Sequence, residues 1–197
     1  MAAPVNLHQQ RRTATNEALR RVALARFAKD GFANVTVARL AEEAGVTERT
    51  FFRHFPTKEA VLFGDYETQL EWLAEALARR PAAESLFDAV LAAVVSFPHD
   101  LEVVRQAALL RASLLGAERA AGHLRVVQAS FAEVITDFVR SRHADVPELT
   151  ADVAGAAVAA ALVVAVENWG RSGCTGDLGA IVADSVTLVR SGFAALR

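Results

Sequence analysis

The sequence predicts an all-α protein in which a small N-terminal three-helix unit precedes a larger C-terminal helical domain. Apolar residues recur at the three- and four-residue spacing of helices, and no alternating strand pattern of useful length is present. Prolines and glycines divide the chain beyond residue 80 into at least five further helical segments. A hydrophobic fraction of 53% supplies enough apolar surface for both parts.

Charge is distributed unevenly along the chain. The net charge of −2 combines +3 over residues 1–65 with −5 over residues 66–197. Residues 1–14 predict a flexible basic arm, and basic residues before the helix pair add a nonspecific attraction to phosphate that weakens with salt. For about half of these arginines, a solvated helix face is the alternative interpretation. The arginines in question are Arg11, Arg12, Arg20, Arg21 and Arg26.

Residues 36–62 predict two short helices joined by a tight turn. Thr36 is placed to cap the first helix, and Gly45 supplies the left-handed residue that ends it. Thr47 caps the second helix after only two intervening residues. Phe51 provides the apolar residue that the second helix of a helix-turn-helix buries. An ordinary helical hairpin with a charged face is the alternative.

The outward side of the second helix carries side chains that can donate and accept hydrogen bonds in a DNA major groove. A helix bearing such groups next to a tight turn is typical of a DNA-binding helix-turn-helix. The candidates on this helix are Glu48, Arg49, Thr50, Phe52, Arg53 and His54.

Residues 19–63 resemble the N-terminal DNA-binding domain of the TetR/AcrR family of bacterial transcriptional regulators. The family's first helix ends in a phenylalanine followed by a glycine and an aromatic residue, matched here by Phe27, Gly31 and Phe32. Thr36 matches the threonine that opens the family's second helix. The family's third-helix pattern is matched by Thr50, Phe52, His54, Phe55, Thr57, Lys58 and Glu59.

Phe52 departs from this pattern, because the family usually carries a tyrosine there. Losing the phenolic hydroxyl removes one expected phosphate hydrogen bond, so Phe52 is expected to pack or to contact a thymine methyl. The complete set of predicted DNA contacts adds Thr36, Thr47 and Lys58 to the candidates on the second helix.

The predicted domain boundaries follow from this motif. Residues 15–63 form the helix-turn-helix DNA-binding domain, and residues 64–197 form a helical ligand-binding and dimerisation domain. A long fourth helix from Lys58 to about Arg79, capped by Thr57, is expected to link the two domains mechanically.

Arg111 lies in helical register with apolar residues in the C-terminal domain. A charge on such a face must extend outward, form an internal salt bridge or bind an anion, and the first two are the favoured interpretations. A wide apolar stripe also lies on a predicted helix from about Ala117 to His143. Such a stripe is usually core, and pocket lining is the alternative for single members.

Residues 81–197 resemble the C-terminal domains of a TetR-type group that includes the mycofactocin regulator. The resemblance lies in the order of the predicted helices and in the high alanine content. Some members of that group bind acyl-coenzyme A-like ligands. The resemblance implies that the apolar stripe would hold an acyl chain and that Arg105 or Arg111 would meet its charged end. The predicted ligand-binding residues are Arg105, Arg111, Phe131, Val134, Ile135 and Trp169.

The last two helices, about Thr150 to Arg171 and Asp177 to Leu196, are predicted to form a homodimer surface. Alanines at 156, 157, 160 and 161 permit close helix approach, and the final helix has a broad apolar face. The family resemblance implies a four-helix dimer interface. A helical hairpin buried inside the monomer is the alternative. The apolar face in question comprises Leu178, Ile181, Val182, Val186, Val189 and Phe193.

Other classes of protein are disfavoured. One cysteine and one methionine argue against a disulfide scaffold or a thiolate metal site. Paired Glu-x-x-His segments for a di-iron site are absent from the sequence, and the glycines between 170 and 179 lack the strand and lysine of a phosphate loop. The longest uncharged apolar run, Val153 to Val166, has 14 residues, fewer than the roughly 20 of a membrane span. We therefore expect a cytoplasmic protein that is not an enzyme and has no metal, cofactor or membrane partner.

Together these features predict a homodimeric repressor that binds operator DNA and is released from it by a small apolar or acyl-type effector. The alternative is a ligand-independent DNA-binding dimer whose C-terminal domain only dimerises. Activation rather than repression is also compatible with the sequence.

Overall fold

The computed structural model describes residues 7–64, 66–97, 101–114, 117–143, 145–192 and 194, and within them the regular structure is helical. The predicted all-α fold is confirmed. The α-helices are α1 Leu7–Asp30, α2 Val37–Glu43, α3 Glu48–His54, α4 Tyr66–Ala78, α5 Leu86–Val95, α6 Leu101–Leu114, α7 Ala117–Arg142, α8 Glu148–Arg171 and α9 Leu178–Arg190. Two short 3-10 segments, Phe32–Asn34 and Glu59–Phe63, complete the described architecture.

Helix α1 begins at Leu7, so the sequence-based start after residue 14 is corrected. The stretch contains no glycine or proline, and its leucine, glutamine, arginine and alanine residues favour a helix. Two of the N-terminal arginines are also used inside the protein. Arg20 is buried, with 6% of its surface exposed, and Arg26 donates hydrogen bonds to Glu43 at 2.7 Å and Asp30 at 3.3 Å.

The predicted fourth helix is divided into two pieces. Thr57 does act as a cap, because its hydroxyl accepts a hydrogen bond from the Ala60 amide at 3.1 Å. The turns that follow are 3-10 rather than α-helical, and α4 proper begins only at Tyr66. Gly64 explains the interruption, because a Cβ at this position would lie 2.2 Å from Cε1 of Phe55. The close approach requires glycine, which is a poor helix former.

Two hydrophobic cores organise the described part of the chain. The N-terminal core joins α1, α2, α3 and the 3-10 segment Glu59–Phe63, and it includes Ala107 and Leu110 of α6. The C-terminal core joins α4, α5, α7, α8 and α9. Val61 and Leu62 of the predicted fourth helix lie in the N-terminal core, and Leu73 and Leu77 lie in the C-terminal core, so this segment contacts both cores as expected. Helix α6 is a second connection, because it contributes to the N-terminal core and packs against α8.

The apolar face of α9 that the sequence assigns to the dimer packs in part within one protomer. Val182 and Val186 of α9 are buried, and Leu178, Ile181 and Val189 pack against the same core of one protomer. This face is therefore largely covered within the chain, as the buried-hairpin alternative expects, and Phe193 lies outside the described residues. The apolar side chains left exposed on these helices are Leu149, Val153, Val164 and Leu188.

Helix α8 is long and apolar enough to cross a membrane by length and composition, with a mean hydropathy of 2.1 over 18 residues. This 18-residue window is longer than the uncharged run of 14 residues, Val153 to Val166, because up to two charged residues are allowed within the window. A core helix of a soluble protein meets the same criterion. In the fold, α8 packs against α6, α7 and α9, and this packing accounts for its apolar composition.

Candidate nucleic-acid interface and effector cavity

The turn between α2 and α3 has the geometry that the sequence predicts. The Thr36 hydroxyl accepts a hydrogen bond from the Arg39 amide at 3.3 Å, and the Thr47 hydroxyl accepts one from the Thr50 amide at 3.2 Å. Gly45 has φ +69°, the left-handed conformation that ends α2. Phe51 is fully buried in the N-terminal core. Both helices are therefore capped and fixed relative to each other.

The structure brings seven of the nine predicted DNA contacts together on α3 and its cap. The exposed members are Thr47, Glu48, Arg49, Phe52 and Arg53, whereas Thr50 and His54 are half-buried. Thr36 is exposed at the start of α2, and Lys58 lies beyond the end of α3. A short helix with two exposed arginines and a protruding aromatic ring can present these groups to a major groove.

Phe52 is the most unusual member of this surface, because 48% of a large apolar side chain is exposed. Its ring lies edge-on to that of Phe51, with centroids 5.6 Å apart. The buried neighbour thus fixes the direction of the exposed ring. Its position is compatible with contact to a thymine methyl.

His54 occupies the last turn of α3 in an environment that favours its neutral form. Burial, followed by the positive charges of Arg53 and Arg12, lowers the pKa of His54 below its ordinary value of 6.5. Its Nδ1 atom is buried and makes no hydrogen bond in the described part of the chain. The contribution of Arg12 also places α1 near the end of α3.

Lys58 has a role that the sequence did not predict. Its Nζ atom donates hydrogen bonds to the carbonyl oxygens of Phe32 at 2.7 Å and Val35 at 3.0 Å. The ammonium group also lies 4.2 Å from the centre of the Phe32 ring, a cation–π contact. Lys58 therefore ties the turn before α2 to the segment after α3.

A group of charged side chains fastens α2 to α1 on the surface of this domain. Arg26 bridges Asp30 and Glu43, and Arg39 contacts Asp30 at 3.2 Å. The hydrogen bond from Arg26 lowers the pKa of the Glu43 carboxyl, so both groups are charged at neutral pH. Exposed ion pairs contribute little singly, but this set helps to define the orientation of α2.

The C-terminal domain contains a cavity of about 600 Å³. Its wall is built from helices α4 to α9, with contributions from α1 and from the 3-10 segment before α4. This volume lies in the range of about 300–1,000 Å³ usual for small-molecule sites. The apolar lining includes Phe63, Trp72, Val94, Leu124, Val127, Phe131, Leu162 and Val166.

Arg111 lies in the wall of this cavity and is almost buried, with 9% of its side chain exposed. Its Nε donates to Oε1 of Glu167 at 2.9 Å, and its Nη1 donates to the Leu62 carbonyl at 2.8 Å. The guanidinium carbon lies 5.4 Å from the centre of the Phe63 ring. Of the interpretations left open by the sequence, the internal salt bridge is therefore the one observed. Arg20 of α1 also lines the cavity.

The other predicted ligand-binding residues divide into two groups. Phe131 lines the cavity together with Arg111. Arg105 instead pairs with Glu102 at 2.7 Å, and 43% of its side chain is exposed. The hydrogen bond to Glu102 raises the pKa of Arg105. Ile135 and Val134 pack in the C-terminal core, and Trp169 is buried with its indole N–H donating to the Gly176 carbonyl at 3.2 Å. These four residues are not part of the cavity lining.

Sequence reasoning missed Glu167, which is the partner of Arg111. The signal was present, because Glu167 is the only charged residue between positions 153 and 170. Arg111 is likewise the only charged residue between positions 106 and 117, and an isolated acid and an isolated base in two apolar stretches predict a buried pair. Trp72 was also missed, and its ring lies edge-on to that of Phe97 with centroids 4.8 Å apart.

The capped helix pair, the exposed α3 and the cavity define a helix-turn-helix DNA-binding protein with a separate helical domain. Residues 19–63 match the family of bacterial regulatory proteins known as the tetR family. The chain is also 33% identical, over 135 residues that cover 68% of each protein, to the mycofactocin biosynthesis transcriptional regulator MftR of Mycobacterium tuberculosis. The chain belongs to the TetR family of transcriptional regulators, which bind DNA and are not enzymes.

Solved structures share the whole fold. Thermus thermophilus FadR, a TetR-family repressor solved with lauroyl-CoA, has a TM-score of 0.61 and 20% identity over 90% of this chain and 94% of its own. NalD of Pseudomonas aeruginosa, the secondary repressor of the MexAB-OprM multidrug efflux pump, has a TM-score of 0.56 and 22% identity over 91% and 95%. At these identities the likeness establishes the fold alone.

Proposed function

We propose that this protein is a homodimeric repressor, acting in the cytoplasm, that a small apolar or acyl-type effector releases from its operator. The observation that carries the proposal is the apolar cavity of about 600 Å³ beside the N-terminal core. Its lining combines aromatic and aliphatic side chains with one buried ion pair, Arg111 and Glu167. Such a lining suits a ligand with an apolar body and one polar end. The acyl ligand of Thermus thermophilus FadR supports this class of effector.

The DNA-binding half of the proposal rests on α3. Arg49 and Arg53 are the candidates for hydrogen bonds to base edges, and Phe52 is the candidate for contact with a thymine methyl. A single seven-residue helix offers few contacts. Two copies in a dimer address half-sites on successive turns of DNA and thereby gain affinity.

The dimer surface that we propose lies on the exposed side of α8 with a contribution from α9. Leu149, Val153 and Val164 are exposed on α8, and Leu188 is exposed on α9. An apolar surface of this kind is typical of an interface between protein chains. Burying it against a second copy would form a bundle of helices from both protomers.

Effector binding and DNA binding are thermodynamically linked, and this linkage sets a requirement on the effector. A ligand releases the operator only if it binds more tightly to the conformation that fits DNA poorly. The difference in its affinity for the two conformations limits the drop in DNA affinity. The volume of the cavity argues against the alternative of a ligand-independent dimer, which would be expected to have a filled C-terminal core.

The proposal is tested by measuring binding of the purified protein to DNA upstream of its own and neighbouring genes, across salt concentrations, with and without acyl-type compounds. Val127→Trp fills the cavity, because Val127 lines it, and Val126→Trp is the matched control on the exposed side of α7. We expect a compound that releases the wild type and the control but not the filled variant. Equal release of all three proteins would contradict a role for the cavity.

A further inference from the structure

We infer that Arg111 couples the cavity to the DNA-binding domain and that the coupling responds to a ligand with a carboxylate head. The inference rests on the proposed function and assigns its regulation to one side chain. Arg111 makes three contacts at once: it lines the cavity, pairs with Glu167 of α8 and holds the Leu62 carbonyl. The third contact belongs to the segment that leads from α3 to α4.

The guanidinium of Arg111 has hydrogen-bonding capacity left for a ligand. It carries five N–H donors, and within the described part of the chain two of them are used, by Glu167 and by Leu62. Both N–H groups of Nη2 and one of Nη1 remain. A carboxylate binds arginine best through two parallel hydrogen bonds, and the Nη1–Nη2 edge offers such a pair.

A carboxylate bound to both nitrogens of that edge draws the guanidinium toward the cavity and thereby weakens the hydrogen bond from Nη1 to the Leu62 carbonyl. Leu62 is fully buried, so loss of this hydrogen bond leaves a carbonyl without its partner. A buried carbonyl in that state is unfavourable and favours any rearrangement that satisfies it. The hydroxyl oxygen of a neutral alcohol accepts a hydrogen bond from a single N–H of Nη2 and leaves the bond to Leu62 in place.

The Leu62 peptide belongs to a segment that packs closely against the end of α3. Val61, Leu62 and Phe63 all belong to the N-terminal core that contains Phe55, the C-cap of α3. Gly64 lies so close to Phe55 that a Cβ would come within 2.2 Å of the ring. Close-packed groups of this kind transmit a displacement rather than absorb it. Movement of residues 61–64 would therefore shift the end of α3.

The test compares dodecanoate with 1-dodecanol, which have the same chain length and differ in the head group. We expect dodecanoate to weaken operator binding of the wild type by at least about tenfold, and dodecanol to bind with less than about a twofold effect. Amide hydrogen exchange of residues 59–64 provides a second measurement that needs no operator. It should increase with dodecanoate alone.

Removing Arg111 alone would leave the buried Glu167 without its partner, so the variant of choice replaces both. Arg111→Met with Glu167→Met exchanges a buried ion pair for apolar side chains, which is often neutral or stabilising. This double variant also removes the donor to the Leu62 carbonyl, so without ligand it should bind DNA more weakly than the wild type and exchange faster at residues 59–64. Addition of dodecanoate should then change neither DNA binding nor exchange at these residues any further.

The outcomes separate the inference from the proposed function. Equal release of the wild type and the double variant by dodecanoate would leave the effector-controlled repressor standing and overturn the role of Arg111. Unchanged exchange at residues 59–64 in the wild type saturated with dodecanoate would overturn that role even if no operator is found. Failure of dodecanoate to bind the wild type would overturn the carboxylate as the ligand head.

Discussion

Gly170 of α8 lies directly against the backbone of Ala108 in α6. A Cβ on Gly170 would lie 2.8 Å from the Ala108 carbonyl oxygen, closer than Cβ atoms approach other heavy atoms in proteins. Ala108 is fully packed, and the same helix supplies Leu110 to the N-terminal core. The contact therefore holds a helix that joins the two cores.

Gly170→Ala should destabilise the protein, because the added methyl group has no space between two helix backbones. Overpacking of this kind costs about 1–3 kcal/mol. Gly122→Ala is the matched control, since Gly122 is also helical but has nothing within 4 Å of an added Cβ. Thermal unfolding should show a lower midpoint for Gly170→Ala only. Equal midpoints for the two variants would contradict the close contact.

Lys58→Ala should destabilise the DNA-binding domain, because it leaves the carbonyls of Phe32 and Val35 without a donor. The expected loss is about 1–3 kcal/mol in the free energy of urea-induced unfolding. Lys29→Ala removes an exposed lysine of α1 and should have little effect.

The same variant separates two roles for Lys58 on DNA. A contact with phosphate should weaken binding to every sequence similarly and reduce the salt slope by about one. A purely structural role should lower stability and leave the salt slope unchanged. An unchanged unfolding free energy would contradict the structural role.

The protein should lose stability as the pH falls below neutrality, in part through His54. Its pKa in the folded protein is below 6.5, so the unfolded chain binds this proton more tightly. The free energy of unfolding therefore falls as the pH drops from 6.5 to the folded pKa, and His54 adds no pH dependence above that interval. Urea unfolding at about pH 7.5 and about pH 5.5 should show a larger difference for the wild type than for His54→Gln. The same difference in both proteins would show that His54 is not responsible.

Val164→Glu should convert the proposed dimer into monomers, because it places a charge in an apolar interface. Val126→Glu is a close control, since both valines are on helices and 56% exposed. Light scattering should give the mass of one 21.1 kDa chain for Val164→Glu and twice that mass for the wild type and the control. Dimers for all three proteins would place the interface elsewhere.

Local rules accounted for the helix-turn-helix from sequence. The caps at Thr36 and Thr47 depend on residues only three positions away. The left-handed Gly45 likewise follows from local chain geometry. The all-α fold was predicted from the helical spacing of apolar residues and from the glycines and prolines that separate the helices.

Contacts between distant residues explain what the sequence did not predict. Lys58 binds carbonyls 26 and 23 residues away, and Arg111 pairs with Glu167 across 56 residues. Gly64 interrupts the predicted fourth helix through its contact with Phe55, which periodicity does not describe. The apolar face of α9 was assigned to the dimer interface, but its pattern does not distinguish a protomer core from a dimer interface.

Arg49→Ala or Arg53→Ala should cost about 1–3 kcal/mol in operator binding and relax the preference at one base pair if the arginine contacts that base. Arg79→Ala is the control, because Arg79 follows the end of α4 and is exposed. Competition binding to single-base variants of the operator measures both effects. Unchanged affinity and preference in both α3 variants would contradict the assignment.

The most direct measurement is selection of bound sites from a pool of random double-stranded DNA by the purified full-length protein. We expect enrichment of a palindromic site, with half-sites about one helical turn or a multiple of it apart. The site selected by Arg49→Ala or Arg53→Ala should lose one base preference in each half. A pool that remains random, with binding that depends only on salt, would contradict sequence-specific recognition by α3.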